Sequence, residues 1–138
     1  MILLGKLSRL MDSKIFKFLV FVLIIIIALV VSSNSDKQEV TLVKTSDELT
    51  KILDIKGLVI IDIRNSDEFK ESHIPNAINI PYNELKSRLK YSLKTPILVY
   101  SKNDSRSHLA ALQLKQMNYV TIYELGNMEI YNGNLIKS

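Results

Sequence analysis

The sequence predicts an α/β domain with a parallel sheet, carried behind one N-terminal transmembrane helix. Three observations predict it. From residue 40 onward, apolar runs of strand length alternate with stretches of helical periodicity, the order that gives parallel strands joined by right-handed crossovers. Two of those runs, LVIIDI at 58–63 and PILVY at 96–100, are almost wholly apolar, as a strand covered on both faces requires. Residues 18–31, FLVFVLIIIIALVV, carry no polar side chain.

The apolar run comes first. Ile15 and Phe16 extend it beyond Lys17. A helix from 15 to 31 would be roughly 25 Å long, near the thickness of the bilayer's apolar core, and Lys17 can snorkel to the headgroups. Residues 15–33 are therefore assigned as a transmembrane helix or signal-anchor. Residues 1–14 form a cytoplasmic N-terminal segment, 34–39 (NSDKQE) a polar linker, and 40–138 the domain. A cleaved signal peptide is the alternative, with Val31-Ser32-Ser33 as an imperfect cleavage site and a secreted domain as the product. A buried core helix is a third reading, opposed by the lack of a polar face. In the first two, the positive charges precede the apolar run, so the N-terminus stays cytoplasmic and the domain is extracytoplasmic. The cell membrane is thus one expected partner.

Charge and cysteine content narrow the function. The net charge of +4 is concentrated at the start, where Lys6, Arg9, Lys14 and Lys17 face only Asp12. The remainder is nearly balanced and shows no basic stripe with interleaved aromatics, which argues against nucleic acid. The chain has no cysteine, so disulfides, thiolate metal sites and cysteine nucleophiles are all excluded. His73 and His108 are the only histidines. No metal or other cofactor is expected.

In the domain, Val40–Val43 reads as a strand. Thr45-x-x-Glu48 has the spacing of a reciprocal helix cap, and Leu49, Ile52 and Leu53 supply that helix with an apolar face. Gly57 ends it. Strand 58–63 follows, then a brief helix opened by Asn65-x-x-Glu68. A short strand at 77–80 stops at Pro81. Residues 82–89 read as a helix, 96–100 as the second buried strand, and 106–117 as a helix with Leu109, Leu112 and Leu114 among its apolar positions. Strand 120–123 is the last, and a helical turn is expected within 128–131. Ligands of such sheets meet the carboxyl ends of the strands. The loop Ser101, Lys102, Asn103, Asp104, Ser105, Arg106 sits at one of those ends.

Two stretches resemble a known family. Asp62, Arg64, Glu68, Phe69, His73, Ile74, Ala77, Asn79 and Ile80 fall in register with the first signature of rhodanese-like domains, Asp-x-Arg-x-x-x-Glu-Tyr/Phe followed by Gly-His-Ile-x-Gly-Ala-x-Asn-Ile. Ser72 and Asn76 stand where that signature has glycine. Leu125-Gly126, with Tyr131 in place of a frequent Trp, is similar to the closing segment. The resemblance implies a five-stranded parallel sheet flanked by helices. It also implies that 101–106 is the catalytic loop, with pattern Cys-x-x-Gly-x-Arg. Its six residues argue against the related dual-specificity cell-cycle phosphatases, whose loops are one residue longer. Arg106 is kept; Ser101 replaces the cysteine and Asp104 the glycine.

Those two departures decide the chemistry expected. Rhodanese-type enzymes carry sulfur as a cysteine persulfide. A helix N-terminus can pull a thiol from about 8.5 to roughly 3.5–7.5. A serine hydroxyl is far too weak an acid for that, and needs a general base within reach. Neither His108 nor Asp104 is an obvious base for Ser101. The expectation is a domain inactive as a sulfurtransferase that serves as a binding or accessory module for an unidentified protein. The alternative is a divergent sulfurtransferase or hydrolase using Ser101, or a carrier of a small oxyanion such as thiosulfate, sulfate or phosphate. Helix amides, Lys102 and Arg106 favour such an anion. Asp104 opposes it and reads as a plug that caps the helix beginning near Arg106. Arg64 and Glu68, four apart, are expected to form a local ion pair. Asp62 is expected to accept hydrogen bonds at its strand end, and His73 to make a structural hydrogen bond. Asn103-Asp104-Ser105 matches a glycosylation acceptor, incidentally, since it lies inside the tight loop.

Overall fold

The structure, a computed structural model, describes residues 1–33 and 37–138, with Met11 and Ser33 as backbone only. It divides into two units, Met1–Asp36 and Lys37–Ser138.

The first unit is a pair of helices, α1 (Ile2–Asp12) and α2 (Lys14–Ser33). Ser13 separates them. Its φ of −68° and ψ of 137° leave the helical region, and its hydroxyl accepts from Phe16 N–H at 3.0 Å, capping α2. Lys14–Ser32 is long and apolar enough to cross a membrane, and none of it is buried within the protein. The helix expected from 15 thus begins one residue earlier. Of the linker expected at 34–39, residues 34–36 lie outside the described residues.

The second unit runs β1 (Glu39–Leu42), α3 (Ser46–Leu53), β2 (Val59–Asp62), α4 (Ser66–Glu71), β3 (Ile78–Asn79), a 3-10 turn (Tyr82–Glu84) leading into α5 (Leu85–Arg88), β4 (Ile97–Tyr100), α6 (Asp104–Gln116) and β5 (Thr121–Gly126). The five strands form one sheet in the order β1-β5-β4-β2-β3, and every neighbouring pair is parallel. Alternation along β4 splits the core between the two faces. Ile97 and Val99 join Ile61, Ile63 and Ile122 under α5 and α6, with Leu85, Leu89, Ala110, Ala111 and Leu114. Leu98 and Tyr100 face the other way, onto Ile60, Leu49, Ile52, Ile74, Ala77 and Leu125. Each β4 side chain is fully buried, as its apolar run predicts.

Several local expectations are corrected. Thr45 does cap α3, accepting from Glu48 N–H at 3.2 Å, but the Glu48 carboxylate reaches Lys44 N–H (2.8 Å) instead of returning to Thr45. The helix expected over 82–89 is split by the 3-10 turn. The turn at 128–131 is a single bond from Tyr131 N–H to Met128 O. Helix α6 starts two residues early, and β5 runs three residues past Tyr123. Leu109 and Leu112 are not core residues but exposed; Ser107, Ala110, Ala111 and Leu114 make the buried face. Small side chains there let the helix backbone approach the sheet closely.

The far end of α6 closes on Asn118 at φ 68°. Asn118 N–H donates to Lys115 O and Tyr119 N–H to Leu114 O, the paired bonds of a left-handed helix stop. The Gln38 side-chain amide donates to Lys115 O (2.7 Å) and Tyr119 O (3.2 Å), so the chain is tied into this unit from Gln38, ahead of β1. Between α4 and β3, His73 forms an isolated antiparallel bridge with Ile136.

Candidate functional site

The loop after β4 lies at the carboxyl end of the central strand. A register shift between Val99 and Tyr100 sets Tyr100 against Gly126 on β5, a bulge that bends the strand ends at the site. Ser101 N–H donates to Gly126 O at 2.9 Å. The Ser101 side chain is wholly buried. Among the described residues its Oγ is the one buried side-chain oxygen or nitrogen without a hydrogen-bond partner. Such an orphan costs about 1–3 kcal/mol.

The rest of the loop departs from expectation at one residue. The cap of α6 is Asn103, whose Oδ1 accepts from Arg106 N–H at 2.9 Å. Asp104 is the first residue of α6, and its Oδ1 accepts from Asn127 N–H at 2.9 Å. It straps the helix start to the chain after β5 instead of capping near Arg106. Gly126 makes room for it: at φ +78° a Cβ there would sit 2.5 Å from Asp104 Oδ1. Beneath the strap, buried Ser107 donates to Val99 O (3.3 Å) and accepts from Gly126 N–H (3.1 Å). Asp104 has an ordinary helical backbone, so glycine is not required there. Asn76 does occupy a left-handed conformation, at φ 66°, which asparagine tolerates better than most residues. Ser72 is extended (φ −169°), so its lack of glycine costs nothing.

The positive groups are at the surface. Lys102 pairs with Glu68 at 3.8 Å. Arg106 is exposed and lines a shallow recess of about 280 Å³ with Ile63, Asn65, Pro81, Tyr82 and Asn83. Ser105 is exposed beside Asp104 in the first turn.

The first signature builds a buried support beside the loop. Arg64 does not pair with Glu68. Its Nε and Nη2 fork onto the Asp62 carboxylate at 3.0 and 2.5 Å, its own N–H adds a third bond to Asp62 at 2.9 Å, and Nη2 also donates to Ser72 O at 2.6 Å. Asp62 is wholly buried and Arg64 is 6% exposed. Burial alone would lower the Arg64 pKa; the Asp62 carboxylate outweighs it, and the net direction is up. Glu68 instead completes a reciprocal cap with Asn65 (2.9 and 3.2 Å), as its spacing predicts. His73 makes the structural bond expected, Nδ1 to Phe69 O at 2.8 Å, and stacks on the Phe69 ring. The Arg64 guanidinium lies 5.7 Å from the Tyr100 ring centroid, and the Tyr100 hydroxyl accepts from Ile74 N–H.

Burial first, then the Asp62 carboxylate, pushes the Tyr100 phenol well above its usual range. An unfolded phenol ionises near pH 10, whereas folded Tyr100 keeps its proton. The folded state therefore holds more protons above that pH, and stability falls as pH rises. Stability measured by urea denaturation is expected to fall past about pH 10 by up to about 1.4 kcal/mol per pH unit from this residue. Tyr100→Phe should flatten that slope; an unchanged slope would mean the phenol titrates normally.

Sequence reasoning missed Glu124. It is 5% exposed on β5, and its Oε2 lies 3.0 Å from His108 Nδ1. A lone glutamate within the strand TIYELG was the available signal. His108 is thereby engaged away from Ser101. Among the described residues no three His, Asp or Glu side chains are grouped as a metal site.

Comparison with known proteins agrees with this geometry. The rhodanese-like domain model matches residues 45–132. The Bacillus subtilis (strain 168) protein YqhL is 37% identical over 79 residues, 55% of this chain and 62% of that protein. The thiosulfate sulfurtransferase GlpE of Coxiella burnetii is 33% identical over 92 residues, 63% of this chain and 83% of the relative. The chain spans less than two thirds of YqhL and about a quarter of a probable molybdopterin-synthase adenylyltransferase from Porphyra purpurea, to which it is 28% identical over 103 residues. Among solved structures, a rhodanese-like domain protein from Staphylococcus aureus superposes with a TM-score of 0.60 at 21% identity, covering 73% of this chain and 99% of that one. The Alr3790 protein from Anabaena sp. does so with a TM-score of 0.63 at 20% identity, covering 69% and 82%.

Proposed function

The chain belongs to the rhodanese-like domain family, and from that premise we propose that it is a membrane-tethered member that transfers no sulfur and acts as a binding or accessory module. The observation that carries this reading is Ser101. The position that holds a sulfur nucleophile in the family pattern holds a hydroxyl, buried and without any hydrogen-bond partner. A serine nucleophile needs a base in hydrogen-bond contact to take its proton. No cysteine exists elsewhere in the chain to substitute. At the start of α6 the Asn103 side chain takes the Arg106 N–H, and Asp104 adds a negative charge in the first turn.

The tether is α2, with the N-terminus on the cytoplasmic side and the domain across the membrane. Its length and composition support a span, and the basic residues Lys6, Arg9, Lys14 and Lys17 on its leading side support that orientation. The mass of the protein recovered from membranes separates a retained anchor from a cleaved signal.

The sulfur-transfer reading is tested by thiocyanate release from thiosulfate and cyanide. The intact chain is expected to match a Ser101→Ala variant; a rate above that control overturns the proposal. A second reading is favoured by the exposed Arg106 beside a recess and by the likeness to a thiosulfate sulfurtransferase. There the loop holds a small oxyanion without turnover. Calorimetry with sulfate, thiosulfate, sulfite and phosphate decides it, and no heat from any of the four at millimolar concentration rejects it.

A further inference from the structure

Helix α1 has no role in the reading above, and its sequence is patterned. At 3.6 residues per turn, Leu3, Leu4, Leu7 and Leu10 fall within an arc of ~120°. Gly5, Arg9 and Asp12 occupy the opposite side, with Lys6 and Ser8 at the two borders and Ile2 the one apolar residue among them. The four leucines are between 57% and 80% exposed, so α2, the other helix of this unit, does not cover this face. The helix is also set off from α2. Ser13 leaves the helical region, its N–H donating to Leu10 O at 3.2 Å while its hydroxyl starts α2. Eleven residues make α1 about 16 Å long, too short to cross a membrane. A single residue joins it to a segment that is long enough.

We infer that α1 lies flat in the headgroup–acyl boundary of the bilayer that α2 enters, leucines inward, and that this surface is anionic. The inference rests on the reading of α2 as a membrane span. Continuity argues for lipid as the occupant: the chain arrives at the bilayer one residue after α1 ends, so the leucine face stays within a helix length of an apolar medium. Charge argues for the lipid type. Lys6 and Arg9 on α1, and Lys14 and Lys17 just beyond, face only Asp12. Juxtamembrane basic groups of this kind draw a helix to acidic headgroups.

The absence of cysteine makes the test clean, since any introduced thiol is unique. Leu7→Cys, Ser8→Cys and Ile24→Cys variants of the full chain, each labelled with an environment-sensitive fluorophore, are reconstituted into phosphatidylcholine vesicles with and without phosphatidylglycerol. Nitroxides are placed near the headgroup or near the acyl chain ends. Deep nitroxides should quench the label at 24. Shallow nitroxides should quench the label at 7 at least about twice as strongly as that at 8, with blue-shifted emission. The difference should grow with phosphatidylglycerol and lose that dependence in Lys6→Glu/Arg9→Glu. Quenching at 24 with equal quenching at 7 and 8 overturns the inference and leaves the span intact. So does a label at 7 shielded from both lipid and aqueous quenchers, which would mean a second copy covers the leucines. Charge reversal without effect overturns the anionic assignment. No deep quenching at 24 overturns the tether, and this inference with it.

Discussion

Asp62→Ala is expected to cost the domain about 3–5 kcal/mol, the usual penalty for breaking a buried ion pair from one side. Ordinary domains hold about 5–15 kcal/mol in all, so much of the protein would unfold under mild denaturant. The reason is asymmetric. The pair itself stabilises little, because both charges leave water to form it. Removing only Asp62 strands a guanidinium at 6% exposure, left with the neutral partners Ser72 O and Tyr100. Three arginine groups lose their carboxylate together: the backbone N–H, Nε and Nη2. Urea denaturation measures the loss. Asp62→Ala with Arg64→Met should recover a good part of it, since no orphan charge is left. A single variant losing under about 1 kcal/mol would place Arg64 with the exposed pairs, and the support beside the loop would need another explanation.

The second large effect is a gain. Ser101→Cys together with Asp104→Gly is expected to raise thiocyanate release from background to a measurable rate. Ser101→Cys alone should give about a tenth of it, one pKa unit of thiolate at neutral pH. The introduced thiolate would attack the outer sulfur of thiosulfate and expel sulfite. Cyanide would then take that sulfur as thiocyanate and regenerate the thiolate. Two features of the present loop oppose this. Asp104 adds negative charge at the first turn of α6, where the amides would otherwise favour a thiolate. Its bond to Asn127 also straps the loop to the end of β5, over a position that is wholly buried. Equal rates for the single and double variants would show that Asp104 is harmless. No activity from a double variant that keeps its circular dichroism would show that access, not charge, closes the site.

How much of this was legible depended on the range of the interaction. Strands β2 and β4 are plain, because burial on both faces demands apolar residues at nearly every position, Asp62 at the end of β2 being the exception. The Asn65–Glu68 cap was plain too, because it closes within four residues. Arg64 is not legible locally: spacing within a helix favours Glu68, whereas the bend after β2 turns Arg64 back onto Asp62. The task of Asp104 is hidden because three adjacent residues, Asn103, Asp104 and Ser105, can all cap a helix; only the position of Asn127, 23 residues on, picks it out. Leu109 and Leu112 misled because a leucine reads as core, whereas close packing of α6 selected Ala110 and Ala111. The His108–Glu124 pair joins a helix to a strand, and no local pattern announces it.

The order of the strands has a consequence for how the domain assembles. Strand β1 pairs with β5 alone, Glu39 opposite Thr121 and Leu42 opposite Glu124. Nearly the whole domain must therefore be synthesised before β1 has a partner. The first strand of the domain to be made is the last to be zipped in. Late docking of this kind slows folding, and until then the waiting edge is open to chaperones and to neighbours.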